Sequence, residues 1–184
     1  MADPEFVLLG DAIWLEFVNT AATPPEERDL LPDRAAYHRW TKAVKLASER
    51  GNASFDQLLQ LRARLVNLAG ALAEGRSAPA PVVQLVNRIL RSAEGHEQLT
   101  RVSGAWRLQF QSGRHPSAVE AIAASVAATL ADGAAKVRRC GGTDCTLYFI
   151  DRGTVPARRW CSFARCGQRL RLERRRGSRI TPVV

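Results

Sequence analysis

Apolar residues recur at helical spacing along most of the first 135 positions. Ile13, Trp14, Phe17 and Val18 give an apolar face from about Asp11 to Ala22, closed by Pro24 and Pro25. Asp33 is placed to cap a second helix reaching about Arg50, with Tyr37, Trp40, Val44 and Ala47 inward and Gly51 as its stop. The longest pattern runs from Ser54 to about Glu74, where Leu58, Leu61, Leu65, Leu68 and Leu72 step by three and four. Ser54 and Gln57 match a capping box, each side chain satisfying a backbone N–H that the helix leaves open, and Gly75 is the C-terminal stop. A fourth helix follows Pro81, with Val82, Leu85, Val86, Ile89 and Leu90 on its inner face, and ends by Gly95. A fifth starts at Ser117, whose capping-box partner is Glu120; it turns Val119, Ile122, Val126 and Leu130 inward and ends at Gly133.

The period changes once. Trp106, Leu108 and Phe110 alternate with Arg107, Gln109 and Gln111, the period of a half-buried strand. Ser103 and Gly104 supply a turn, and Leu99 to Val102 its partner strand. Five helices and one small β-hairpin predict a mainly α domain over residues 1–134, with the boundary near Asp132-Gly133. The apolar stripes read as core, not as a cofactor box.

The last 50 residues read differently. All four cysteines lie there, Cys140, Cys145, Cys161 and Cys166, as two C-x4-C pairs separated by fifteen residues. Four thiolates satisfy the tetrahedral preference of zinc, and paired loops can grip one ion from two sides. Two disulfides or four inert thiols are the alternatives. Clustering in one tail favours the metal over a framework spread through a secreted fold. With four thiolates available, none of His38, His96 and His115 is needed as a ligand.

Within this segment Lys136 to Arg139 reads as an entering strand, Cys140 to Cys145 as a knuckle turned by Gly141 and Gly142, and Thr146 to Ile150 as a second strand. Arg158-Arg159-Trp160 is expected to return as a hairpin strand. Ser162 then caps a helix to about Arg175, with Phe163, Cys166 and Leu170 on one face. Knuckle, hairpin and ligand-bearing helix make a small treble-clef-like module over residues 135–184.

Charge separates the two segments. The chain carries +9, and from Lys136 onward there are thirteen Lys or Arg against three acids, +10, leaving −1 for the first 135 residues. Such asymmetry points to a polyanionic partner for the tail, and Arg suits phosphate and guanine edges. A hydrophobic content of 46% with nine prolines fits a globular chain. No run approaches the ~18 apolar residues of a membrane span. The opening MADPEF lacks the basic-then-apolar form of a secretory signal, so the expected location is cytoplasmic.

Cys140, Cys145, Phe149 and Asp151, followed by Arg158-Arg159-Trp160-Cys161-Ser162 and Cys166-Gly167-Gln168-Arg169, resemble the CGNR zinc finger of bacterial proteins. Leu15-Glu16-Phe17-Val18-Asn19-Thr20 is similar to the L-D-F-V-N-T run that opens its partner domain, ABATE. Gln168 stands where the motif has Asn, and Glu16 where the run has Asp. The resemblance implies a transcription regulator with a zinc-dependent DNA-binding tail. A closed four-cysteine site predicts one structural zinc ion and no catalytic one, and no nucleophile–base pair or phosphate loop marks an enzyme.

The expected nucleic-acid contacts are Arg158, Arg159, Gln168, Arg169 and Arg171, with Arg174, Arg175 and Arg176 as a nonspecific phosphate grip. Trp160 and Phe149 are expected to pack over the metal, and Asp151 to orient Arg159 or Arg169. Glu16 and Asn19, one turn apart, either line a ligand pocket or tie helix ends together. The expected partners are double-stranded DNA, a second copy of the chain and a small-molecule effector. The alternative is a zinc-stabilised adaptor that meets protein or RNA.

Overall fold

The computed structural model describes residues 6–21, 28–46, 53–153 and 157–177. Helix α1 (Ile13–Val18) is the centre of the fold, with Trp14, Leu15 and Phe17 fully buried. It packs against α3 (Phe55–Ala73) and α5 (Ala118–Ala131). Helix α2 (Arg34–Ala43) adds Tyr37 and Trp40, whose rings meet Phe17 at centroid distances of 6.1 and 5.1 Å. Helix α4 (Ala80–Leu90) lies on α5 through an apolar edge that includes Val82 and Val86.

Each capping reading holds. Ser54 and Gln57 cap α3 reciprocally at 3.2 and 2.8 Å, and Ser117 and Glu120 do so for α5 at 3.3 and 2.8 Å. Asp33 Oδ1 accepts from the Ala36 N–H at 2.7 Å. Helix α2 is shorter than its pattern, because Lys45 takes a left-handed φ of 59° and closes it; Ala47 and the expected stop Gly51 lie outside the described residues. At the end of α5, Leu130 faces out and Thr129 faces in, where its hydroxyl accepts from the Trp14 indole N–H at 2.9 Å.

Strands β1 (Gly95–Val102) and β2 (Ala105–Ser112) form the expected hairpin, with Leu99 opposite Leu108. Ser103 and Gly104 both have positive φ, 49° and 84°, as a two-residue turn matched to strand twist requires. The expected half burial is not there. Trp106, Leu108 and Phe110 are 68%, 60% and 55% exposed, because the hairpin projects away from both apolar clusters instead of lying on one.

Strands β3 (Lys136–Arg139) and β4 (Tyr148–Asp151) pair antiparallel across the knuckle. The residues before Trp160 are not the returning strand. They run irregularly, touching the knuckle through Gly141 N–H to Arg159 O at 2.9 Å. A π-helical turn (Phe163–Gly167) leads into α6 (Gln168–Gly177). The small sheet is not a separate body. Val137 and Ile150 point into the helical core, and β3 packs on α3. Mainly α with a small zinc-finger-like module is the observed architecture.

Candidate functional site

The four cysteines converge on one point from four stretches of backbone. Cys140 ends the approach from β3, Cys145 closes the knuckle, Cys161 ends the irregular run, and Cys166 sits in the π-helical turn. All four are buried, and their sulfurs lie within 4.8 Å of one another. Cys161 Sγ is 3.7 Å from Cys145 Sγ and 3.6 Å from Cys166 Sγ. A tetrahedron with Zn–S bonds of ~2.3 Å has S···S edges of about 3.8 Å, whereas a disulfide needs roughly 2.05 Å. The spacing therefore fits one metal ion and excludes the disulfide alternative in this arrangement.

The surrounding backbone is shaped for that ion. The Cys161 N–H points at Cys140 Sγ at 3.3 Å, a contact that supports thiolate charge. A Cβ on Gly142 would come within 3.2 Å of the Cys166 sulfur and of the Cys145 and Cys166 Cβ atoms, so glycine lets the knuckle close. Hydrogen bonding from Cys161 draws the Cys145 thiol down to about 5, while the same contact and burial push Cys161 up; burial leads in raising Cys166 to about 11. Four crowded thiols resist ionising together until a divalent cation neutralises them. The site is that of one structural zinc, with no position left open for water once four sulfurs bind.

Phe149 is fully buried against the cysteines and Trp160 packs partly over them, as expected. Phe163 does not join that face: it is 56% exposed and meets Trp160 edge-on at 6.0 Å. Asp151 pairs with Arg138, not with Arg159 or Arg169, at 2.6 Å. The β3–β4 register sets this, since Arg138 lies opposite Phe149, two residues from Asp151 on the same strand. Arg138 beside it and the Gly153 N–H hold the Asp151 carboxyl below its usual value.

Arg158 departs furthest from the expected role. Its Nε donates to Trp160 O at 2.9 Å, its Nη1 to Asp11, and its Nη2 to Cys161 O and, at 3.4 Å, to Leu9 O. Its guanidinium also lies 4.4 Å from the Phe149 ring centroid. Four of its five N–H donors are committed inside the protein, so Arg158 braces the metal loop and is not a free phosphate contact. Arg159 stays exposed over the Trp160 ring at 5.4 Å. Gln168 and Arg171 are exposed and Arg169 is half-buried. Arg174, Arg175 and Arg176 fall within α6, but their side chains lie outside the described residues.

Glu16 and Asn19 form a clasp, not a ligand pocket. Glu16 accepts from Gly10 N–H at 2.8 Å and Leu9 N–H at 3.2 Å. Burial raises its carboxyl to about 7, against the lowering pull of those backbone donors. Asn19 pairs with the backbone of Tyr148, accepting its N–H at 2.8 Å and donating to its carbonyl at 2.9 Å. The side-chain amide thus imitates a neighbouring strand on β4. The Ile150 N–H extends that edge by donating to Gly10 O at 3.1 Å. The cleft bordered by Glu16, Asn19, Trp40 and Leu147 does not admit a water molecule.

Sequence reasoning passed over residues 6–11. Phe6 and Leu8 pack into the helical core, whereas Val7 and Leu9 pack against the cysteine cluster. The run Phe-Val-Leu-Leu followed by Gly-Asp carries a strand signal of apolar residues closed by a turn, which could have revealed this strap.

Two family models match the chain in sequence order. The ABATE model, described as "Putative stress-induced transcription regulator", covers residues 11–133, and the CGNR zinc finger model covers residues 136–179. Comparison with curated proteins found no match. Among the described residues no helix is long and apolar enough to cross a membrane. The clasp residues Glu16 and Asn19 lie near the start of the first match, and the four cysteines are the core of the second: the chain belongs to the ABATE family and carries a C-terminal CGNR zinc finger.

Proposed function

We propose that this protein is a cytoplasmic, non-enzymatic transcription regulator that binds duplex DNA through its zinc module. The observation that carries the reading is charge segregation: the segment from Lys136 onward holds +10 and the rest of the chain −1. Most of that charge is arginine, anchored next to a metal-fixed loop, where the metal and the packing of β3 and β4 on the helical core hold the geometry that groove contacts need. Exposed Arg159 and Arg171, with Gln168 between them, are the foremost contacts. A Gln amide can pair with an adenine edge as Asn does. Arg169 and the run Arg174–Arg176 add phosphate attraction, and Arg158 acts only by holding the loop.

The test is selection from a random duplex pool by the zinc-loaded protein, with single-stranded DNA and structured RNA as competitors. Enrichment of a duplex sequence over background supports a regulator. Preference for RNA, or no nucleic-acid binding at low salt with zinc intact, makes the module an adaptor and ends the DNA reading.

A further inference from the structure

The β1–β2 hairpin has a face that nothing else in the described structure uses. Register places Glu97, Leu99 and Arg101 opposite Phe110, Leu108 and Trp106, all six on one side of the pleat. The four apolar residues are 55% to 68% exposed and belong to neither apolar cluster. The opposite face carries His96, Gln98, Thr100, Arg107, Gln109 and Gln111 and is apolar only at Val102 and Ala105, beside the turn. A lone two-stranded hairpin is marginal in water without a covered face. The four side chains expose on the order of 500 Å² of apolar surface, more than single scattered residues present on a monomer.

The hairpin is held in place at its base. Arg114 grips Glu120 of α5 with both guanidinium nitrogens at 2.8 and 2.6 Å, and Gly113 N–H donates to Glu94 O at 2.9 Å. The Phe110 ring lies over Gly95, where a Cβ would come within 2.4 Å of it. The apolar face is thus presented from a fixed root.

We propose that this face is a homodimer interface, in which the hairpins of two copies pack face to face about a two-fold axis perpendicular to their strands. The charges on the face select this occupant. Glu97 lies toward the base and Arg101 toward the tip, with Leu99 between them. That two-fold sets the base of one hairpin over the tip of the other. Glu97 of each copy then meets Arg101 of the second, Leu99 and Leu108 meet their own equivalents, and Trp106 meets Phe110. A two-fold along the strands would instead put Glu97 over Phe110. The face is therefore complementary to itself, as an isologous contact requires. Its ~500 Å² of exposed apolar surface is the larger part of the ~800 Å² that each partner gives to a standard interface. The dimer is independent of what the zinc module binds.

The experiment is sedimentation equilibrium of the zinc-loaded full chain across a concentration series. The wild type is expected at twice its 20.2 kDa mass. Leu108→Arg, at the centre of the face, is expected to sediment as a monomer with unchanged zinc content and circular dichroism. Glu97→Arg is expected to weaken the dimer by about tenfold or more through like charges, and Glu97→Arg combined with Arg101→Glu to recover it. A wild type that stays monomeric would leave the face to another partner and overturn the proposal. So would a dimer that survives Leu108→Arg, or a charge reversal that gives no recovery.

Discussion

Glu16 shows how much one side chain can hold and what that costs. It fixes the strap at Leu9 and Gly10, yet burial lifts its carboxyl from 4.5 to about 7. Between those values the folded protein binds the proton more tightly than the unfolded chain does. Stability from this group is therefore greatest at low pH and declines as pH rises toward about 7. Comparing the melting temperatures of the wild type and Glu16→Gln from pH 5 to pH 8 checks this: the variant should gain on the wild type as pH rises. A difference that stays constant would mean the carboxylate is not strained by burial. At this scale the cysteines were legible in the sequence, because metal ligation fixes residue type and spacing together. Arg158 was not, because its partner Asp11 lies 147 residues away and only the fold brings the two together. Asp151 was half legible: an arginine partner was foreseen, but the β3–β4 register chose Arg138.

At the scale of elements, helices α3 and α5 were readable to their caps, since stripe and capping box are local signals. The hairpin was readable in register and turn but not in burial; alternation says which residues share a face, not whether anything covers it. The small sheet was misread in part because its second strand pairs across the knuckle and its free edge is filled by Asn19 and Gly10, which local pattern does not show. That edge has a consequence. The sequence alone suggests that losing zinc unfolds only the tail. In the structure Val137 and Ile150 sit in the helical core and Asn19 grips Tyr148, so the loss should propagate. Hydrogen exchange on Cys145→Ser should show faster exchange at Tyr148 and Ile150 and also in α1 and the facing part of α3. Protection in both helices equal to that of the wild type would show the finger to be an independent unit.

Taken whole, the molecule joins a nearly neutral helical body to a strongly basic metal module through a strap whose alternate residues face two different cores. Glu16, Asn19 and residues 6–11 hold the two together, along with Val137 and Ile150 in the helical core. The family match gives the order of the two segments, and its N-terminal run contains the clasp residues Glu16 and Asn19, whose partners only the fold reveals. Whether exposed arginines beside the metal loop meet duplex phosphate is the claim on which the functional account stands. The direct measurement is duplex affinity against salt concentration for the zinc-loaded wild type and for Arg159→Ala combined with Arg171→Ala. The account predicts a steep negative log–log slope for the wild type, shallower by about 2 in the double variant, with zinc content unchanged. A slope near zero, or one that the two substitutions leave as it was, would contradict it.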